Sequence, residues 1–367
     1  MAPKGSRPLA RGRHSANVRA TVAVRDKIRD KRLKMQRRHV VGLLAGAAAL
    51  AGSGGIARAA DVRIALLVKN LGNRFFEACR DGAQAAATEI GGTEIIYTAP
   101  SAPTAEGQIE IINSLIAQRV DAIAISANDT NALVPATKRA MDRGIKVISF
   151  DSGIAPEGRI VHINASSTAL IGAKQVQLMA DAIGGEGEVA ILSAASTMTN
   201  QNNWIAAMKE EWKKPEYAKM VLVGTAYGDD QLDKSYRETQ GLFKSHPNLK
   251  GIISPTSIGI NAAAKAVADA GLIGKVYVTG LGLPSELKGH VENGSIKSFA
   301  IWNPVDFGYI AATVSSALVK GTAKGAEGEV IKVGRLGERT VEKGNEITMA
   351  EPFTFDKSNI AEYAAKF

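Results

Sequence analysis

Short runs of almost wholly apolar, β-branched residues alternate along this chain with stretches of helical period, and few architectures accommodate that order. Residues 62–68, 94–98, 122–126, 146–150 and 160–163 read as strands. Between them, residues 75–90, 105–119 and 131–143 place apolar side chains at three- and four-residue steps and read as helices. Strands without a polar face are buried on both sides, which implies parallel strands covered by helices and joined by right-handed crossovers. The order then restarts, with strands at 189–193, 221–226, 251–254, 276–280 and 298–302 separated by helices at 204–213, 233–244, 258–270 and 284–292. A helix at 305–320, a Gly/Lys-rich connection at 321–328, two strands and a terminal helix near Ile360 complete the pattern. Two successive sheets of about five strands predict an α/β fold of two similar Rossmann-like lobes. The chain, at 367 residues, is long enough for two such cores.

The formal charge of +9 invites an anionic partner until its placement is read. Residues 1–59 hold 14 of the 45 Lys and Arg but only 2 of the 36 Asp and Glu, leaving 31 basic against 34 acidic side chains beyond them. The folded part therefore offers no electrostatic case for nucleic acid. Within the leader, Arg37 and Arg38 precede the apolar stretch VVGLLAGAAALA (residues 40–51) and the small-residue end Ala57-Arg58-Ala59. That is the order of a secretory signal, with cleavage expected after Ala59 and the periplasm as destination. About a dozen apolar residues fall short of the roughly 20 that span a bilayer. The paired arginines leave a twin-arginine route open beside the general one. Residues 1–34, Arg/Lys-rich and aperiodic, read as lying upstream of a true start at Met35, a basic nucleic-acid arm being the competing reading. A single cysteine, Cys79, excludes an internal disulfide and reads as a small core residue. The five histidines lack metal-ligand spacing, so neither metal nor cofactor is expected.

Ligands of open α/β sheets bind beyond the carboxyl ends of the strands. In the first half those ends carry Lys69 and Asn70, then Asn128, then Asp151. The second half supplies Asn200 and Gln201, then Pro255, Thr256 and Ser257, then Leu281, then Trp302 and Asn303. Amides, hydroxyls and one or two charges predominate, and Phe75, Phe76, Trp204 and Trp302 stand beside them. In a chain only 5% aromatic, that concentration suits a polyhydroxylated small molecule. Each desolvated hydroxyl needs a donor and an acceptor, while the C–H faces of a sugar pack on aromatic rings. Lys69 would serve ring or hydroxyl oxygens. Of the adjacent Phe75 and Phe76, one should point inward and one to the cleft, since neighbouring helical positions diverge by about 100°. Asp151 reads as an acceptor of two sugar hydroxyls, or else as a cap or hinge residue; Trp302 reads equally as a stacking platform or as hinge packing. No G-x-S-x-G, Walker A or G-x-G-x-x-G sequence appears. Glu186 with Glu188, and Asp229 with Asp230, read as solvated turn residues, so no enzymatic activity is expected.

The export signal and the segments VKNLGNRFF (68–76), DAIAISANDTNALVPATKRAMDRGIKVISFDSG (121–153), TMTNQNNW (197–204) and IISPTSIGINAAAKAV (252–267) resemble the periplasmic sugar-binding proteins of ABC importers, type I, ribose-binding-like. The similarity runs from Asp61 to about Trp302 and more loosely to the end. GLGLPSE (280–286) and KSFAIWNPVDFGY (297–309) make it most similar to the rhamnose-binding subgroup, with the autoinducer-2 receptors next. The resemblance implies that Lys69, Gln201, Pro255 and Trp302 are shared with the autoinducer-2 receptors, but Asn131 and Asn200 stand where those carry acids. Against the ribose pattern, Ser152 replaces an Arg and Gly282 replaces a second Asp. Only Asp151 of that acidic pair is left, and a less polar site tolerating a methyl group fits a 6-deoxy sugar such as L-rhamnose. Autoinducer-2, or another pentose or hexose, is the alternative ligand. The resemblance further implies an N-terminal lobe of residues 60–164 and 303–350, a C-terminal lobe of 165–302 and 351–367, a three-strand hinge, a membrane permease as partner, and a monomer. A related-fold repressor would need a helix-turn-helix before the first lobe, which residues 1–34 lack; a chemotaxis-coupled sensor would share the site and differ in its docking surface.

Overall fold

The structure, a computed structural model, describes residues 61–367. The expected leader, its cleavage point and the start at Met35 lie outside the described residues.

Six parallel strands form the first sheet: β1 (Val62–Leu67), β2 (Thr93–Thr98), β3 (Ala122–Ile125), β4 (Lys146–Phe150), β5 (Val161–Asn164) and β13 (Glu346–Thr348), in the order β2-β1-β3-β4-β5-β13. Alternate residues of the central strands serve two cores, as the period of two requires. Leu66, Val68, Ala124, Ile148 and Phe150 join the cluster that includes Phe76, Cys79 and Ala83 of helix α1 (Arg74–Ile90). Ala65, Leu67, Ile123, Ile125 and Val147 join Ile112 and Leu115 of α2 (Ala105–Gln118), and Ala136 and Ala140 of α3 (Val134–Asp142). Residues 131–133, expected to be helical, form a turn whose amides at Asn131 and Ala132 bond Asp129 Oδ1 at 2.8 Å, so α3 begins only at Val134, just before Pro135.

The second sheet is built on β7 (Lys219–Tyr227), β6 (Glu186–Ser193), β8 (Leu249–Ser254) and β9 (Tyr277–Gly280), parallel and in that order. A parallel bridge from Leu281 to Ala300 brings in β10 (Ser298–Ile301), which pairs antiparallel with β14 (Phe353–Asp356). Glu186 and Glu188, expected in a turn, are strand residues of β6. Helix α4 (Thr168–Ile183) packs on β8, β9 and β10 and against α5 (Thr199–Glu211); it has no counterpart in the sequence-based reading, although Ile171, Val176, Met179 and Ala182 bury one face. The helices α6 (Leu232–Ser245) and α7 (Ser257–Asp269) pack on each other, and α8 (Pro284–Asn293) meets α10 (Ile360–Tyr363).

Helix α9 (Pro304–Val319) follows β10 yet packs on α1, β1, β3 and β4 of the first sheet. Glycines make that approach possible: a Cβ on Gly82 would lie 1.8 Å from Val305 O, and one on Gly308 1.8 Å from Cys79 O. After the hairpin of β11 (Val330–Lys332) and β12 (Glu338–Thr340), β13 returns to β5 and β14 to β10. The chain thus passes between the two sheets three times, at residues 164–168, 301–304 and 348–353.

Candidate functional site

Lys69 follows β1 and is 3% exposed, an unfavourable position for an ammonium without an opposite charge beside it. Asp151 supplies that charge: Lys69 Nζ lies 3.0 Å from Asp151 Oδ2. The backbone of Asp151 sits in the left-handed region, with φ at 60°, immediately after β4. A non-glycine residue persists there only when its surroundings hold it. Here the Asp151 amide donates to Ile163 O, and Ser126 Oγ donates to Oδ2 at 2.7 Å.

Asn200 reaches this ion pair from the second sheet's side. Its Nδ2 donates to Asp151 Oδ1 at 2.9 Å, and its Oδ1 accepts from Lys69 Nζ at 3.2 Å and from the Gln201 amide at 2.9 Å. Two further bonds cross the cleft: Ser257 Oγ to Asn73 Oδ1 at 3.3 Å, and a short contact between the hydroxyls of Thr130 and Thr199. Asn200 and Gln201, expected in a strand-end loop, occupy the first turn of α5, which starts five residues before the expected helix. Gln201 turns its Oε1 toward the end of β6, accepting from Ser193 Oγ at 2.6 Å and Ala194 N at 2.8 Å.

A cavity of about 380 Å³, counting its opening to solvent, lies among these groups. Of the residues singled out from sequence, Lys69, Phe75, Phe76, Asp151, Asn200, Gln201, Trp204, Pro255, Thr256, Ser257, Leu281 and Trp302 line it. Both Phe75 and Phe76 border it and both are buried, so the expected division between core and cleft does not occur. They open α1, whose first turn stands against the cavity, and their rings meet edge to face at 5.2 Å. Trp302 joins Phe75 at 6.1 Å and Trp204 at 5.8 Å, so stacking and packing roles coincide in one aromatic wall. Its buried Nε1 meets no hydrogen-bond acceptor among the described residues.

Four expected residues do not line this cavity. Asn128 is structural, its Nδ2 donating to Lys69 O and Thr104 O at 3.1 and 3.2 Å. Asn303 caps α9, accepting from Val305 N and donating to Asp306. Asn131 is exposed in the turn before α3, and Asn70 is buried outside the lining. Three residues absent from the sequence-based set take their place: Asn73, which caps α1, Ile301, and Asp230. Asp230 overturns its expected solvation, being 6% exposed with Oδ1 accepting from Thr256 Oγ1 at 2.5 Å. Burial pushes its carboxyl above the usual range, against the opposing pull of Lys69 and Thr256. The strand-end rule applies to it as well, since it follows β7.

A sequence profile of the periplasmic binding protein domain matches residues 64–323. The chain belongs to the periplasmic binding proteins. An ABC-transporter solute-binding protein from Clostridium phytofermentans, solved with bound L-rhamnose, is 40% identical and superposes with a TM-score of 0.80, covering 83% of this chain and 99% of that one. The D-ribose/D-allose-binding protein of Pseudomonas aeruginosa is 28% identical over 249 residues, 65% of this chain and 76% of its own. At 22% identity and a TM-score of 0.79, over 82% of this chain and 99% of the other, the AI-2-bound LsrB of Clostridium saccharobutylicum shares the fold. This periplasmic binding protein therefore has the type I fold and serves in binding rather than catalysis, as its sugar-binding relatives in ABC transport do.

Proposed function

We propose that this binding protein captures a neutral monosaccharide, L-rhamnose foremost, between its lobes in the periplasm and presents it to the permease of an ABC importer. The observation that carries the reading is the cavity itself. One buried ammonium and a buried carboxylate sit beside amides and hydroxyls on one part of its wall, and Phe75, Phe76, Trp204 and Trp302 form another. Hydroxyls of a sugar exchange hydrogen bonds with the first, and its C–H face packs on the second. Leu281 and Ile301 leave an apolar patch for the methyl of a 6-deoxy sugar. Support for L-rhamnose comes from the 40%-identical protein that holds it.

Residues 60–164 with 303–350 would move as one lobe and 165–302 with 351–367 as the other, turning about the three crossovers. A nearly complete switch to the closed form requires the ligand to favour it by about 5.5 kcal/mol. A micromolar site supplies about 8 kcal/mol in all, so closure lies within reach of ordinary sugar affinity.

Calorimetric titration of residues 60–367 with L-rhamnose, D-ribose, D-allose and autoinducer-2 tests the reading. A micromolar or tighter Kd for L-rhamnose, with the others at least tenfold weaker, is the expected result. Heat with another sugar alone would replace the ligand and leave the transport class standing, while no heat with any of the four would remove all of the named ligands.

A further inference from the structure

The position at which the ribose pattern carries its second acid is a glycine here, packed against apolar side chains. A Cβ on Gly282 would stand 2.5 Å from Leu287 Cδ1 and 2.8 Å from Ile260 Cγ2, and Gly282 does not line the cavity. Yet the cavity does hold a second carboxylate, brought in from a different loop. Residues 228–231 join β7 to α6, and Asp229 and Asp230 both lie in the left-handed region with φ at 52° and 49°. The turn is held by backbone bonds from Gly228 N to Ser193 O, Asp229 N to Ala194 O and Gln231 N to Gly228 O. Its outcome is a division of the pair: Asp229 faces outward to Lys234, whereas Asp230 is buried and lines the cavity.

We propose that Asp230 is the ligand-gripping carboxylate of the second lobe, supplying from the loop after β7 the acid that Gly282 lacks, and pairing across the cleft with Asp151 of the first lobe. The assignment rests on the sugar-binding reading above. Thr256 Oγ1 occupies one lone pair of Oδ1, and Asp230 forms no salt bridge among the described residues. An ionised carboxylate accepts about four hydrogen bonds, so most of its capacity remains for hydroxyl donors from the ligand. Asp151, already bonded to Lys69, Ser126 and Asn200, offers less. The two acids sit on loops of different sheets, so a ligand must carry hydroxyls on two separate edges to engage both. With one ammonium facing two carboxylates, the cavity also opposes anionic ligands. Its substrate class is therefore a neutral polyhydroxylated sugar, to the exclusion of uronic acids and sugar phosphates.

Calorimetry on the full exported chain, wild type, D230N and D229N, with L-rhamnose as probe, tests this. D230N is expected to bind at least tenfold more weakly and D229N within twofold of wild type, all three melting at similar temperatures; D230S serves if D230N does not fold. Mono-deoxy derivatives of L-rhamnose separate contact from mere structural support. One of them should lose affinity for the wild type but lose nothing further in D230N, because the deleted hydroxyl and the deleted charge are partners. Unchanged rhamnose affinity in D230N, or every deoxy derivative losing equally in both proteins, overturns the assignment of Asp230 alone. A wild-type protein that gives no heat with any neutral sugar removes the sugar reading, and this one with it.

Discussion

A lysine and an aspartate with side chains 4% and 5% exposed are costly to bury, and here each is held by the other and by further hydrogen bonds. A buried histidine close by has made the opposite accommodation. His162 is 7% exposed, its Nδ1 meets Ser149 Oγ at 2.9 Å, and burial together with the Arg159 guanidinium pushes its pKa down to about 4, Asp151 pulling weakly the other way. The folded protein thus keeps the imidazole neutral, whereas the unfolded chain takes up a proton below its ordinary value near 6.5. Stability from this group is complete above pH 6.5 and is lost as pH falls through about 4, by up to about 3 kcal/mol. Denaturant unfolding between pH 7 and 4 should show a steeper decline for wild type than for H162N; parallel curves would show that His162 does not titrate as described. Single residues were also where sequence was hardest to read. Lys69 and Asp151 were legible because a charge directly after an apolar strand has few other reasons to be there. Asp230 was not, since two adjacent acids in a polar turn look solvated, and only the left-handed backbone turns one of them inward. Asn128 and Asn303 lie outside the cavity lining for the converse reason: an amide that bonds backbone and an amide that bonds a ligand are the same residue type.

Among the elements, the crossing of α1 and α9 is the tightest fit. Gly82 and Gly308 let the two backbones touch, and an added methyl at either meets a carbonyl oxygen rather than a movable side chain. Gly308→Ala is expected to lower stability by at least about 2 kcal/mol, measured by urea unfolding, because overpacking here forces the helices apart. A neutral result would mean that α9 can slide without loss. The central strands β1, β3 and β4 of the first sheet were legible because burial on both faces leaves nearly unbroken apolar runs. The start of α5 was not legible, since Met198 at its N-cap makes no side-chain bond and leaves no capping signature, and this hid Asn200 and Gln201 within a helix. Helix α4 did carry a readable apolar face, but one interrupted by Gly172 and Gln175, which are buried with it.

For the molecule as a whole, the cross-cleft bonds of Asn200, Thr199 and Ser257 describe two lobes brought together. Their partners Lys69, Asp151, Thr130 and Asn73 all belong to loops of the first sheet, so opening must break every one of them together. Small-angle scattering should therefore record a smaller radius of gyration with saturating L-rhamnose than without it; an unchanged radius would contradict closure about the crossovers. The twofold repeat of strands and helices made this division visible in the sequence, whereas the exchange of late elements was expected only from the family resemblance, because nothing local marks β13 for β5 or β14 for β10.

That exchange bears on how the chain reaches its final form. The first sheet waits for residues 346–348 and the second for residues 353–356, so neither can be completed from a contiguous stretch. Joining β13 to β5 closes a loop of well over a hundred residues, and such distant pairings slow assembly far more than they weaken the product. A chain emerging from its N-terminus has nearly all of its length delivered before its last strands arrive, so β5 and β10 stay unpaired on those edges until the end of the chain is available.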